Sequence, residues 1–157
     1  MTVYSMEPAM LWHVAELAEH MRAPDKQEVW AAAHQEPEQA AYSSLLGSRD
    51  AQVGLADGKV LCMFGVGSLT ILSLTGIPWL LATKKLERHG RAFLRRNRGV
   101  LAGMGNDYTL LRNHVDARNK AAIRWLGWLG FTILPTETYG VDRLPFHPFE
   151  MRLENHV

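Results

Sequence analysis

Between Val60 and Thr83 the chain carries no charged residue. A run of that length can cross a bilayer as one helix, or it must be covered by the rest of the protein as strands. Its interior decides between the two. Gly65, Gly67, Ser68, Thr70, Ser73, Thr75, Gly76 and Pro78 punctuate it, and in a helix each glycine would cost about 1 kcal/mol and the proline about 3. The run therefore reads as two buried strands joined by a turn, with no membrane insertion. Just ahead of it, Asp57-Gly58 stands between Ala51 to Ala56 and Lys59 to Val66. That dipeptide supplies the two positive-φ residues of a tight hairpin. Cys62, the single cysteine, lies in VLCMF and reads as a buried strand residue. A lone cysteine excludes an intramolecular disulfide and a multi-cysteine metal site.

The flanking segments supply helices and further strands. Val3 to Met6 reads as a short first strand. Pro8 to about Arg22 reads as a helix with Met10, Val14, Leu17 and Met21 on one face, broken by Pro24-Asp25. Asp25 and Glu28 form a capping pattern for a short helix, Gln27 to Ala33, and Glu36-Pro37-Glu38 opens a third helix ending at Gly47. Beyond the uncharged run the order is strand (Ile77 to Thr83), helix (through Met104), strand (Thr109 to Asp116), helix (Asn119 to Leu129), strand (Phe131 to Leu134). After a proline-rich loop, Phe149 to Leu153 reads as a last short strand. No composition shift divides residues 1–157, which read as a single α/β domain with a mixed sheet and about four helices on its faces. MTVYSMEPAML has neither a basic n-region nor an apolar h-region, so no signal peptide is expected.

Charge is concentrated in one place. Seven of the fifteen residues 84–98, KKLERHGRAFLRRNR, are Lys or Arg, in a chain of formal net charge +1. At 100° per residue Phe93, Asn97, Val100, Leu101 and Met104 share an arc that must face the core. Arg88, Arg91, Arg95 and Arg98 fall opposite, towards solvent. Three readings stay open for this run. It is a solvated helix face, a nucleic-acid grip through the Arg88–Arg98 stripe, or, over Glu87 to Ala92, a strand-to-helix turn that cradles phosphate with backbone N–H groups. The nucleic-acid reading lacks an aromatic partner, because Phe93 faces inward.

A second landmark, VDARNKAAIRWLGWLGF (residues 115–131), gives this run a context. Asn119, Ala122 and Gly130-Phe131 keep a spacing that resembles the last segment of the GNAT superfamily of N-acetyltransferases. The family's pyrophosphate loop, Gln or Arg, two residues, Gly, one residue, then Gly or Ala, is matched in place by Glu87, Gly90 and Ala92. The element order agrees along nearly the whole chain. The resemblance implies a GNAT-like mixed, mostly antiparallel sheet and acetyl-CoA as cofactor, with Arg88, His89, Gly90, Arg91, Ala92 and Asn119 as the cofactor-binding residues. GIPWLLATK, ERHGRAFLRR and VDARN…IRWLGWLGF together resemble more narrowly the small acetyltransferase-like proteins of tailed phages known as internal virion protein A. That likeness implies a virion-associated protein in the particle or the host cytoplasm, with other virion proteins as partners.

Two positions depart from the family pattern. Leu126 stands where a tyrosine commonly serves as the acid, and Glu87 stands at the loop's leading Gln/Arg position. The departures predict degenerate catalysis. If the protein is active, acetyl transfer to an amine needs a proton relay and an acid. His114 with Asp116, two apart on one strand, and Tyr139 or Tyr108 are the residue types available. The alternative for the pair is structural, with Asp116 capping the turn that follows. Asn119 likewise reads as a helix cap or a cofactor contact. His13, His20, His34, His147 and His156 show no metal-ligand spacing, so no metal is expected. Trp125 and Trp128 read as core or interface residues.

Overall fold

The computed structural model describes the fold of residues 1–153; the side chains of Leu101 and Ala102, and His156 among the last four residues, lie outside the described set. Thirteen elements follow one another: β1 (Tyr4–Pro8), α1 (Leu11–His20), α2 (Ala23–Ala33), α3 (Pro37–Leu46), β2 (Gln52–Ala56), β3 (Lys59–Gly67), β4 (Thr75–Ala82), α4 (Lys85–Gly103), β5 (Leu110–Asp116), α5 (Lys120–Trp128), β6 (Thr132–Ile133), β7 (Glu137–Tyr139) and β8 (Leu144–Arg152). The strands form one mixed sheet in the order β1-β2-β3-β4-β5-β8-β6, with β7 also on β8. Every pairing is antiparallel except β4 with β5. The expected α/β architecture is present, with five helices rather than about four.

The uncharged run forms β3 and β4, paired from Cys62↔Ala82 to Gly67↔Ile77. Residues 68–74 connect them and leave Leu69, Ile71 and Leu72 exposed. Asp57 and Gly58 both take positive φ, as the hairpin turn requires. No helix among the described residues is long and apolar enough to cross a membrane.

Two apolar layers cover the sheet. On one face Val14 and Leu17 of α1 and Met21 just after it, with Ala41 of α3, pack on Val53, Leu55, Val60, Met63 and Leu81. On the other, Leu86, Phe93 and Leu94 of α4 and Trp125 of α5 pack on Leu61, Cys62, Phe64 and Ala82. Phe93 faces the core as its helical phase predicts, but Val100 of the same expected arc is 47% exposed while Leu94, outside it, is buried. The Phe93 ring lies where a Cβ on Gly54 would stand. Cys62 is a free, buried thiol, and burial pushes its pKa up.

The join between β4 and β5 positions the site. These strands are in parallel register only through Thr75↔Leu110 and Gly76↔Leu111, then diverge. Pro78 explains where the ladder stops. Its carbonyl accepts a bond from the Asn113 side chain across the gap at 2.8 Å, so this residue's backbone faces β5, and the proline ring removes the N–H from that edge.

Three expectations need correction. The first helix ends at His20, close to the expected Arg22, but the second starts at Ala23 rather than Gln27, with Pro24 in its first turn, where its missing N–H costs nothing. The proline-rich loop before Phe149 is strand, since β8 begins at Leu144. Pro145 and Pro148 lack donors, but their carbonyls still accept from Ala117 and Leu134. Glu87 to Ala92 is not a turn, because α4 starts at Lys85 and the change of direction is made by Thr83 and Lys84. The Thr83 hydroxyl is held by the Val60 and Leu61 carbonyls, and buried Leu86 anchors the first helical turn.

Candidate functional site: the cleft between β4 and β5

Where the two strands part, side chains from α2 enter the opening. The Ala82 N–H of β4 donates to Asp25 Oδ2 at 2.8 Å, and the Asp116 N–H of β5 donates to Glu28 Oε1 at 2.8 Å. Arg22, only 2% exposed, donates from Nη1 to Asp25 at 2.8 Å and to Asn119 Oδ1 at 3.3 Å, and from Nε to Glu87 at 3.0 Å. Its guanidinium lies 4.6 Å from the Trp125 ring centroid, a cation–π contact in a desolvated place. Asn119 donates to Asp25 at 3.0 Å and to Glu28 at 3.4 Å. It also accepts from the Ala122 N–H as the N-cap of α5.

The Asp25 and Glu28 carboxyls and one guanidinium therefore meet where water is largely excluded, with Glu87 reaching Arg22 from the exposed side. Desolvation, partly offset by Arg22, raises the Asp25 pKa. The Glu28 residue keeps some surface, but its carboxyl tip is enclosed. Burial, then the neighbouring Asp25 charge, raises its pKa to about 8. At neutral pH the protonated form of Glu28 is thereby favoured.

Beside this cluster lies a chamber of about 260 Å³ lined by Glu28, Trp79, Asn113, His114, Leu126 and Tyr139, among others. The His114 and Tyr139 rings stack at 3.9 Å between centroids, and His114 Nε2 lies 2.8 Å from Glu137 Oε1. Two of the sequence candidates are brought together here. Asp116 is not with them: its carboxylate is bonded to Arg118, at 2.7 Å from Nη2, and to the Arg118 N–H. The side chain that pairs with His114 is Glu137, on a strand twenty-three residues further along. Tyr108 is buried with Val66 and Leu111 in a separate cluster. Leu126 lines the chamber without a proton to give.

The candidate phosphate residues sit differently from the turn expected of them. The N–H groups of Thr83, Lys84, Leu86 and Glu87 donate to the carbonyls of Leu61, His20, Thr83 and Lys84, so most donors at this strand–helix junction are already used. Gly90 packs on α5, where an added Cβ would stand 3.0 Å from Trp125 Nε1; its small size serves helix packing. His89 Nδ1 lies 2.7 Å from the Tyr4 hydroxyl. Arg88, Arg91 and Ala92 are exposed. Only Asn119 of that set reaches the cleft.

Sequence reasoning missed Arg22, Asp25 and Glu28 as a group. Their spacing of three residues places them along one side of a helix, a legible signal had α2 been started at Ala23.

The backbone as a whole resembles solved structures closely. A GNAT-superfamily phosphinothricin acetyltransferase from Sinorhizobium meliloti, in complex with acetyl-CoA, superposes with a TM-score of 0.70 at 13% identity, covering 98% of this chain and 90% of that one. An N-acetyltransferase from Staphylococcus aureus gives 0.68 at 17% identity, over 97% and 99%. An acetyltransferase of the GNAT family from Streptococcus pneumoniae gives 0.61 at 14%, over 96% and 100%. The fold is the GNAT fold. At these identities the likeness concerns architecture alone. No protein-family profile matches the chain, and no curated protein matches its sequence.

Proposed function

We propose that the chain is a GNAT-fold component of a phage particle in which acetyl transfer has been given up and the cofactor cleft serves the chain's own packing. One observation carries the reading: Asp25 and Glu28 of α2 accept the backbone N–H groups that the parted strands β4 and β5 present. Acetyl-CoA, which the phosphinothricin acetyltransferase holds, needs a free strand edge for its pantetheine arm and a positive seat for its diphosphate. The residues here do not fit it. Asp25 and Glu28 occupy the Ala82–Asp116 end of the cleft, and Glu87 sets a negative charge in the first turn of α4, where an anion would gain from the helix N-terminus. Leu126 adds the loss of the customary acid. The likeness of three segments to tailed-phage internal virion protein A supports the remainder of the reading, a place in the particle beside other virion proteins and in the host cytoplasm before assembly.

Calorimetry of the purified chain with acetyl-CoA tests it. The expected result is no saturable heat up to about 1 mM ligand, an affinity weaker than about 4 kcal/mol. A one-to-one isotherm in the micromolar range would overturn it.

A second reading, acetyl transfer to an amine of a host protein or small molecule, is favoured by the chamber that places Glu28, His114 and Tyr139 around one space. The Glu28 carboxyl, holding a proton there, could deliver it to the departing thiolate and, once ionised, accept the amine's proton, provided α2 first withdrew from the strands. Release of free thiol from acetyl-CoA, dependent on Glu28 and His114, would establish this reading in place of the first.

A further inference from the structure

The structure assigns a second, basic site to the groove between α4 and α5, and we propose that it binds single-stranded nucleic acid. The groove encloses about 320 Å³ and is lined by Arg91, Leu94, Arg95, Arg98 and Trp128. Arg91, Arg95 and Arg98 fall at i, i+4 and i+7, covering about 10 Å of helix axis. No described carboxylate pairs with any of the three. Beyond Glu87, which Arg22 engages, neither α4 nor α5 contains an acidic residue. The local field is therefore strongly positive on a chain of net charge +1.

Charge alone would suit any polyanion. Trp128 narrows the choice. It stands on the groove wall 42% exposed, with the Arg124 guanidinium 5.9 Å from its ring centroid. An exposed indole flanked by arginines offers a face on which an unpaired base can stack while the neighbouring phosphates meet the guanidinium groups. Duplex bases are already stacked on one another and present no such face. Along α4 the only nearby aromatic, Phe93, is buried. The platform comes from a different helix, thirty residues after Arg98, which is why the basic run alone did not reveal it. The groove lies on the outer side of the two helices, so the proposal does not depend on what occupies the cleft.

Anisotropy of a labelled oligothymidylate titrated with the full chain provides the test. Single-strand binding through three arginines should weaken by about 20-fold between roughly 50 and 200 mM salt, a logarithmic slope near −0.7 per phosphate. Replacing Arg91, Arg95 and Arg98 together by Gln should remove both the binding and the slope. Trp128→Ala should lower affinity roughly 5- to 150-fold at unchanged slope, the range of one lost base stack, and Trp128→Phe should restore most of it. All four side chains are exposed, so circular dichroism and melting temperature should match the parent in each variant. Several results would overturn the assignment: no binding at about 50 mM salt, equal binding of duplex DNA or polyglutamate, parental affinity in Trp128→Ala, or displacement by sub-millimolar acetyl-CoA.

Discussion

Arg22 is the residue on which the cleft depends. It is buried against Trp125 and bonded to Asp25, Glu87 and Asn119, so removing it leaves the buried Asp25 carboxyl without its counter-charge. Arg22→Ala should cost about 3–5 kcal/mol, read as a fall in melting temperature of roughly 10 °C; the double variant Arg22→Met/Asp25→Asn should recover part of the loss. Glu28 makes a pH prediction of definite sign. Its folded pKa, about 8, lies above the ordinary value of 4.5, so between these values the folded chain holds a proton that the unfolded chain has released. Stability from this group is complete below the lower value and is lost as pH rises through the upper one. Glu28→Gln keeps an acceptor for the Asp116 N–H and removes the charge. It should melt several degrees higher than the parent above pH 8, at about 2–4 °C per kcal/mol, and close to the parent at pH 5. These residues were visible as charges in the sequence, yet Asp25 and Glu28 read as a cap because nothing local says that α2 lies across a gap in the sheet.

Elements show what periodicity can and cannot reveal. Strand β3 and its turn with β2 were legible from an uncharged run and a positive-φ dipeptide, and the inward placing of Phe93 on α4 from a 100° step. The start of α4 was not, since a glycine at position 90 suits a phosphate turn and a tight helix contact equally well. The structure favours contact, and substitution separates the two. Gly90→Ala should gain up to about 1 kcal/mol in helix propensity but push its methyl against Trp125 Nε1, costing about 1–3 kcal/mol. A net fall in stability, with a shift in tryptophan fluorescence, is the expected readout. Gly54→Ala should cost more, because its Cβ would lie 2.3 Å from Phe93 Cζ, and urea denaturation would rank the two. The prolines of β8 escaped sequence reading for a related reason. A strand tolerates Pro145 and Pro148 when only their carbonyls are called upon.

For the whole molecule, the order of elements was enough to recover the fold, because short connections leave few ways to arrange them. The cleft's contents were not recoverable, being set by contacts between residues some ninety positions apart. If the cleft is self-filled, excess acetyl-CoA should leave the melting temperature unchanged; a ligand present at 100 times its dissociation constant would add about 2.7 kcal/mol. The parting of β4 from β5 also changes what kind of object the sheet is. Beyond Gly76↔Leu111, its two halves are held by the Asn113 bridge to Pro78 and by two carboxylates reaching across from one helix. In mechanical terms α2 is a tie between two plates that meet along a short seam. Hydrogen exchange at the Ala82 and Asp116 amides should accordingly follow the undocking of α2 rather than the melting of strands, so the two should lose protection together. A force that pulls the plates apart would load one helix first.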